Sequence, residues 1–144
     1  MIGRRLVALA LLAASQFSET HAMDAPRPTP TIEEVGAASG LKLPPDAALV
    51  GVRQETGIDS LIEFRMTVAS GAFEQFLAQN GLDPAAFHKR PGGLLGASHA
   101  FWTPAQEPEL YVASYPRAPG RTLDVAVTPA IDGRRTVYVR AFSL

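Results

Sequence analysis

The chain has 144 residues, a formal net charge of −1 and no cysteine. The lack of cysteine excludes disulfide bonds, thiolate catalysis and cysteine-based metal sites. The near-neutral charge argues against a nucleic-acid partner, and the sequence contains no zinc-ligand spacing, phosphate-binding loop, dinucleotide fingerprint or nucleophile elbow. We therefore expect no metal, no cofactor, no set of catalytic residues and no enzyme activity.

Residues 1–22 have the pattern of a secretory signal peptide. Two early arginines precede the short apolar run 6–14, polar residues follow from Ser15 to His21, and Thr20 and Ala22 provide a small-residue cleavage site. Cleavage is expected after Ala22 or alternatively after Ser15. The alternative is an uncleaved membrane anchor, but nine apolar residues are far fewer than the roughly 20 that span a bilayer as a helix. We therefore expect a periplasmic or secreted protein with no membrane span after cleavage.

Residues 23–40 are predicted to be a proline-rich arm followed by a short helix. Three of the eight residues 23–30 are proline, which favours an extended linker. Thr31 and Glu34 then have the spacing of a capping box, which predicts a helix from Ile32 to about Ala38, ended by Gly40. Residues 41–144 are expected to form a single domain, because a mature chain of about 120 residues buries roughly two thirds of its unfolded surface.

The first half of this domain combines two strands and a helix. Residues 48–56 and 62–68 alternate apolar and polar side chains, which predicts two strands paired as an antiparallel hairpin across Gly57. Apolar residues then recur at helical spacing over 71–80, and Asn80–Gly81 is a typical helix terminator. This helix is predicted to pack on one face of the sheet.

Regular patterning fails between residues 82 and 109 and then resumes. The segment 88–104 holds glycines, prolines, two histidines and the only tryptophan, and irregular connections of this length are usually functional or disordered. Three further strands are predicted near 110–115, 123–128 and 137–142, with Asp132–Gly133 as a hairpin turn. The predicted fold class is α+β, with two layers, a single antiparallel sheet of about five strands and the chain order α-β-β-α-β-β-β.

Eight residues in and after the irregular segment are candidates for a binding site, because cations, imidazoles and large aromatics are the side chains that recognise anions and protein surfaces. They are His88, Lys89, Arg90, His99, Trp102, Tyr111, Arg117 and Arg121.

Each candidate also has a structural interpretation. The basic run before Pro91 is either an anion-binding corner or a solvated turn, and Trp102 is either a recognition residue or a lid on the core. His88 and His99 match no standard metal-ligand spacing and would need a carboxylate such as Glu63, Asp124 or Glu109 for catalysis.

Charge is unevenly distributed along the chain. Residues 23–86 contain four basic and nine acidic side chains, whereas residues 87–144 contain seven basic and four acidic side chains. If the arginines of the second half lie close together, they form a positive rim that could bind a carboxylate, a phosphate or an acidic protein surface. The alternative is that they lie apart and only increase the solubility of exposed strand edges.

Two functions are compatible with the sequence. The first is an exported protein-interaction or ligand-binding module, of the inhibitor or immunity type or an accessory subunit of an envelope complex, which binds a protein or envelope component through the 88–104 segment. The alternative is a small periplasmic hydrolase that uses His88 and His99 with a carboxylate.

Overall fold

The computed structural model describes residues 29–144, so the predicted signal peptide and most of the proline-rich arm lie outside the described residues. In this part of the chain, six strands form one antiparallel sheet accompanied by two α-helices, which confirms the α+β class. The helices are α1 (Ile32–Ser39) and α2 (Ser70–Gln79). The strands are β1 (Ala48–Glu55), β2 (Ser60–Ala69), β3 (His88–Lys89), β4 (Tyr111–Pro116), β5 (Arg121–Val127) and β6 (Arg134–Ser143).

The sheet has one strand more than expected, and its order is β1-β2-β6-β5-β4-β3. The additional strand is β3, which contributes only two residues within the segment whose sequence lacks a regular pattern. The last strand, β6, lies between β2 and β5, so that Val139 is paired with Phe64 on one side and with Val125 on the other. The centre of the sheet is therefore formed by the strands with the longest apolar alternation.

Local sequence signals set several of the turns and helix ends. Asp132 and Gly133 both have positive φ, 52° and 72°, which is the two-residue turn predicted between β5 and β6. The capping box at α1 is present, because Thr31 Oγ1 accepts from the Glu34 amide while the Glu34 side chain accepts from the Thr31 amide. Gly40 ends this helix in the left-handed conformation, as its position predicts.

The helices cover one side of the sheet, which we call the first face. Phe73, Phe76 and Leu77 of α2 are buried against it, and Val35 of α1 joins the same core. At the end of α2, the Asn80 side chain exchanges two hydrogen bonds of 2.9 Å with the backbone of Lys42. The short helix α1 and the chain that follows it are thus part of one core with the sheet.

The opposite side, which we call the second face, is covered by residues 90–110, the covering segment. Its Leu95, Trp102 and Leu110 form a second buried cluster with Ala126 and Tyr138 of the sheet. Two of its turns are 3-10 helices, Gly92–Leu95 and Pro104–Gln106. Between residues 29 and 144, no helix is long and apolar enough to cross a membrane.

Candidate functional site

An open groove of about 330 Å³, which we call the end groove, lies on the first face at one end of the sheet. Its floor comes from the end of β1, the start of β2, the end of β6 and the start of β5. The last turn of α1, at residues 38–40, and Arg117 in the β4–β5 loop contribute to its sides. The groove is thus built mainly on strands, which hold side chains more rigidly than loops do.

Strand register arranges the floor of the end groove in two rows. Ala141 is paired with Ile62 and Leu123, which gives an apolar row across three strands. Residues two positions along each strand lie on the same face, so the next row is polar. That second row contains Ser60, Ser143 and Arg121.

The polar row is completed by hydroxyl groups and by a second arginine. The hydroxyls of Ser60 and Ser143 are 2.6 Å apart, within hydrogen-bond distance. Arg117 and Arg121 flank the β4–β5 loop, where the Arg117 amide donates to the Arg121 carbonyl at 3.1 Å. Arg117 Nη1 also donates to the Asn80 carbonyl at 3.2 Å, which orients its guanidinium. Two of the eight predicted binding residues therefore line one groove.

The charge of the end groove is positive. Its one acidic residue is Glu55, whose carboxylate accepts from Arg53 Nε at 3.1 Å. Arg53 is paired with Glu63 in the sheet, so this ion pair lies on the second face, away from the two groove arginines. The hydrogen bond to Glu55 raises the pKa of Arg53 above its ordinary value, and this guanidinium stays charged.

The second face carries a row of alternating charges across four strands. In register order the row is Arg53, Glu63, Arg140 and Asp124. Glu63 and Asp124 are the only buried acidic residues among those described, with 5% and 7% of their surface exposed. Arg140 donates to Asp124 Oδ2 from both Nε and Nη2, at 3.2 and 2.9 Å, and from Nη1 to the Leu95 carbonyl at 3.1 Å. These contacts fasten the covering segment to the sheet.

His99 lies over one end of this charged row. Its Nε2 is 3.3 Å from Arg53 Nη1 and 3.3 Å from Glu63 Oε2. A guanidinium only donates and a carboxylate only accepts, so Nε2 satisfies one partner at a time. An unprotonated Nε2 accepts from Arg53, and a protonated Nε2 donates to Glu63.

Tyr138 forms a second set of polar contacts beneath the covering segment. Its hydroxyl donates to Glu107 Oε1 at 2.7 Å and lies 3.2 Å from Thr103 Oγ1, while the Arg65 guanidinium stands 5.4 Å from its ring centre. Burial, with a contribution from the bond to Glu107, raises the pKa of the Tyr138 hydroxyl. Arg65 Nη1 also lies 3.4 Å from the Phe101 carbonyl, so Arg65 supports the same segment.

Trp102 belongs to the second core and is not a surface residue. Only 1% of it is exposed, its indole donates to the Leu95 carbonyl at 3.1 Å, and its ring meets Tyr138 edge-on. Trp102 therefore lies where a residue that closes the core would lie. In this conformation almost none of the Trp102 surface is open to a partner.

The remaining predicted residues lie elsewhere. His88, Lys89 and Arg90 are exposed at the β3 edge, and Tyr111 is half-buried on β4. The Tyr111 hydroxyl donates to Glu109 Oε1 at 2.7 Å, a bond that raises the pKa of this tyrosine. Lys89 Nζ lies 3.9 Å from the same carboxylate.

The two histidines do not meet. His88 is on β3 and His99 contacts Glu63 on β2, and these two strands are four inter-strand spacings apart in the sheet, about 19 Å. Of the three carboxylates that could support catalysis, Glu63 meets His99, whereas Glu109 contacts Lys89 and Asp124 binds Arg140.

The arginines of the second half do not form one rim. Arg121 is opposite Ser143, at the far end of β6 from Arg134 and Arg135, which is about 30 Å away along a strand of this length. Arg140 is in the middle, bound to Asp124. The positive charge is divided between the two ends of the sheet, and only Arg117 and Arg121 line the end groove.

The second face also has an open depression of about 420 Å³ near the same end of the sheet. Leu61 and Phe142 lie beside Glu55, Asp59 and Glu63 there. No group of three or more histidine, aspartate or glutamate side chains among residues 29–144 is placed to hold a metal ion.

Sequence patterns alone missed Ser60 and Ser143 of the end groove and the role of Arg65 on the second face. The only sequence feature that indicates the position of these residues is the alternation of apolar and polar side chains along each strand, which assigns a residue to one face of the sheet. The partner opposite each residue depends on which strands pair and in what register. That information is absent from any single strand.

Comparison with protein-family models, with curated proteins and with solved structures gave no match.

Proposed function

We propose that the protein is a small exported binding module that holds a segment of a partner protein or of another envelope component in the end groove. The single observation that supports this function is the ordered lining of the groove. An apolar row, Ile62–Ala141–Leu123, lies beside a polar row that ends in Arg121. A few fixed polar groups beside apolar surface, within about 330 Å³, are typical of a recognition site.

The chemistry of the lining favours binding over catalysis. The titratable side chains of the end groove are Arg117, Arg121 and Glu55. Arginine stays protonated and is a poor proton acceptor, and the Glu55 carboxylate is occupied by Arg53. The two serine hydroxyls therefore have no general base in the lining that could activate them as nucleophiles.

The rigidity of the groove also favours binding. Its floor side chains lie on four adjacent strands, and the charged row on the opposite face fixes the covering segment to those same strands. A site that is already formed loses little conformational entropy when its ligand binds.

Site-specific photo-crosslinking tests this proposal. A photoreactive amino acid is introduced at Gln54, which lines the end groove, and for comparison at Gln75, which is exposed on α2. In envelope extracts of the producing cell, we expect one defined adduct from position 54 and none of the same mass from position 75. Equal adducts from both positions, or no defined adduct from position 54, would count against a binding role for the groove.

The contact between His99 and Glu63 supports a second candidate, hydrolysis by a water molecule that His99 deprotonates. Glu63 is within 3.3 Å of Nε2, and 36% of the His99 side chain is exposed to solvent. Turnover of a simple activated ester that is lost in both His99→Gln and Glu63→Gln, and retained in His88→Gln, would favour this candidate. Equal turnover in all three variants would remove it.

A further inference from the structure

We infer that the end groove recognises the free C-terminal carboxylate of a partner chain whose last side chain is apolar. This inference rests on the proposed function and specifies the chemistry of the ligand. Two arginines and two hydroxyls are available for the carboxylate, and the partly exposed Ala141 of the adjacent apolar row is available for the side chain.

The carboxylate is assigned to the β5 side of the groove because the cations are concentrated there. Arg117 and Arg121 are both exposed and stand at the two ends of the β4–β5 turn, which their backbone hydrogen bond closes. A guanidinium has five N–H donors, and the bond from Arg117 to the Asn80 carbonyl takes one of them. Paired N–H groups match the two oxygens of a carboxylate better than an ammonium does.

The serine pair extends this polar region across the floor. Ser143 is opposite both Ser60 and Arg121, so the two hydroxyls continue the row that begins at the arginine. Each hydroxyl both donates and accepts, so one of the pair donates to the other and the second is left to donate to a ligand oxygen.

The apolar row sets the preference for the last side chain. Ala141 is partly exposed and is the member of this row that a ligand side chain contacts, whereas Ile62 and Leu123 on either side of it are buried, with 5% and 2% of their surface exposed. Each lies two positions along its strand from the polar row, a separation of about 7 Å. A leucine-sized side chain and its own carboxylate span a distance of this order.

Other parts of the lining favour a peptide over a free acyl chain. The last carbonyl groups of a helix lack partners within the helix, and residues Ala38 and Ser39 of α1 line the groove. These carbonyls, with the amide side chain of Gln54, can accept hydrogen bonds from peptide N–H groups, which an acyl chain does not have. The negative end of the α1 dipole also disfavours an anion near α1 and directs the carboxylate to the arginines.

Peptide binding to the mature protein, followed by amide chemical shifts in NMR spectra, tests the inference. The probe is acetyl-Gly-Ser-Gly-Ser-Leu with a free carboxylate, compared with the same peptide ending in a carboxamide. We expect saturable shifts at the Ser60, Arg121 and Ser143 amides with the acid and at least tenfold weaker binding of the carboxamide. Arg121→Gln should weaken the acid by a similar factor, whereas Arg134→Gln, a matched change at the other end of β6, should leave it unchanged.

Three results would overturn the inference. Equal affinity of the acid and the carboxamide would show that the carboxylate is not recognised. Tighter binding of octanoate than of the peptide acid would assign the groove to a free amphiphile. If neither peptide saturates, the ligand class is wrong, and the Gln54 crosslink then decides separately whether the groove binds another component.

Discussion

Replacement of Arg140 by methionine should destabilise the fold by about 3 kcal/mol, because it leaves the Asp124 carboxylate buried without its cation. Asp124 keeps 9% of its side-chain surface exposed, and Ser114 Oγ would remain as a donor at 2.6 Å. Removing one member of a buried pair costs about 3–5 kcal/mol. The lower end of that range applies because the Arg140 side chain is 24% exposed, so the pair is not fully desolvated.

The double variant Asp124→Val with Arg140→Met separates charge burial from packing. Replacing both partners by apolar residues of similar size is often neutral or stabilising, so the double variant should unfold within about 1 kcal/mol of the wild type. Lys89→Met serves as the control, because Lys89 and Glu109 form an exposed pair at 3.9 Å whose loss should cost less than about 1 kcal/mol.

Urea unfolding monitored by Trp102 fluorescence and by circular dichroism gives these free energies. Equal stability of Arg140→Met and Lys89→Met would show that Asp124 does not depend on its cation. A double variant less stable than Arg140→Met alone would show that the cost does not arise from an unpaired carboxylate.

Three further predictions concern the covering segment, the second core and α1. A Cβ atom on Gly51 would overlap the Phe101 ring. Gly51→Ala should therefore lower the free energy of unfolding by about 1–3 kcal/mol and speed hydrogen exchange in the covering segment. Gly93→Ala is the control and should change neither quantity, because a Cβ atom there meets open space. Because the pKa of Tyr138 is raised in the folded protein, this hydroxyl ionises first in the unfolded chain as the pH passes about 10, so the free energy of unfolding should fall above that pH. The fall should be shallower in Tyr138→Phe. Urea midpoints that fall equally in the wild type and in Tyr138→Phe between about pH 9 and 11 would contradict this. Thr31→Ala removes the α1 cap and should cost about 1 kcal/mol, with Thr31→Ser close to wild type in thermal unfolding.

The parts of the fold that sequence predicts are those set by neighbouring residues. Asp132–Gly133 specifies its own turn, Thr31 and Glu34 specify a helix start, and the alternation from Ile62 to Val68 specifies a strand with one buried side. Each signal acts over fewer than about ten residues, so it does not depend on what packs against it.

The order of the strands in the sheet could not be predicted from such local signals. β6 lies between β2 and β5, so the hairpin that joins β1 and β2 continues into the last strand of the chain. Pairing of strands so distant in sequence is selected by the burial of the whole first face, a tertiary effect that no local pattern carries.

The structure differs most from the sequence-based expectation in the segment 88–104. Its glycines, prolines and single tryptophan predict a functional or disordered connection, and its binding role stays a prediction. In the structure it covers the second face and buries Trp102 in a second core. Glu63 and Asp124 are predicted to face solvent because their strands alternate apolar and polar residues, but the structure buries both of them on the second face.

Only some residues of the end groove could be predicted from the sequence. Arg117 and Arg121 are recognisable as cations beside a turn, but their convergence with Ser60 and Ser143 follows from the register of β5, β6 and β2. The serines have no sequence feature that separates them from other polar strand residues.

The most direct test of the end groove as the functional site is the Gln54 crosslink measured in two backgrounds. We expect the adduct formed from position 54 to be lost in the double variant Arg117→Gln with Arg121→Gln and to be retained in Arg134→Gln. Retention of the same adduct at wild-type yield in the double variant would contradict this expectation, because the two groove arginines would then contribute nothing to recognition.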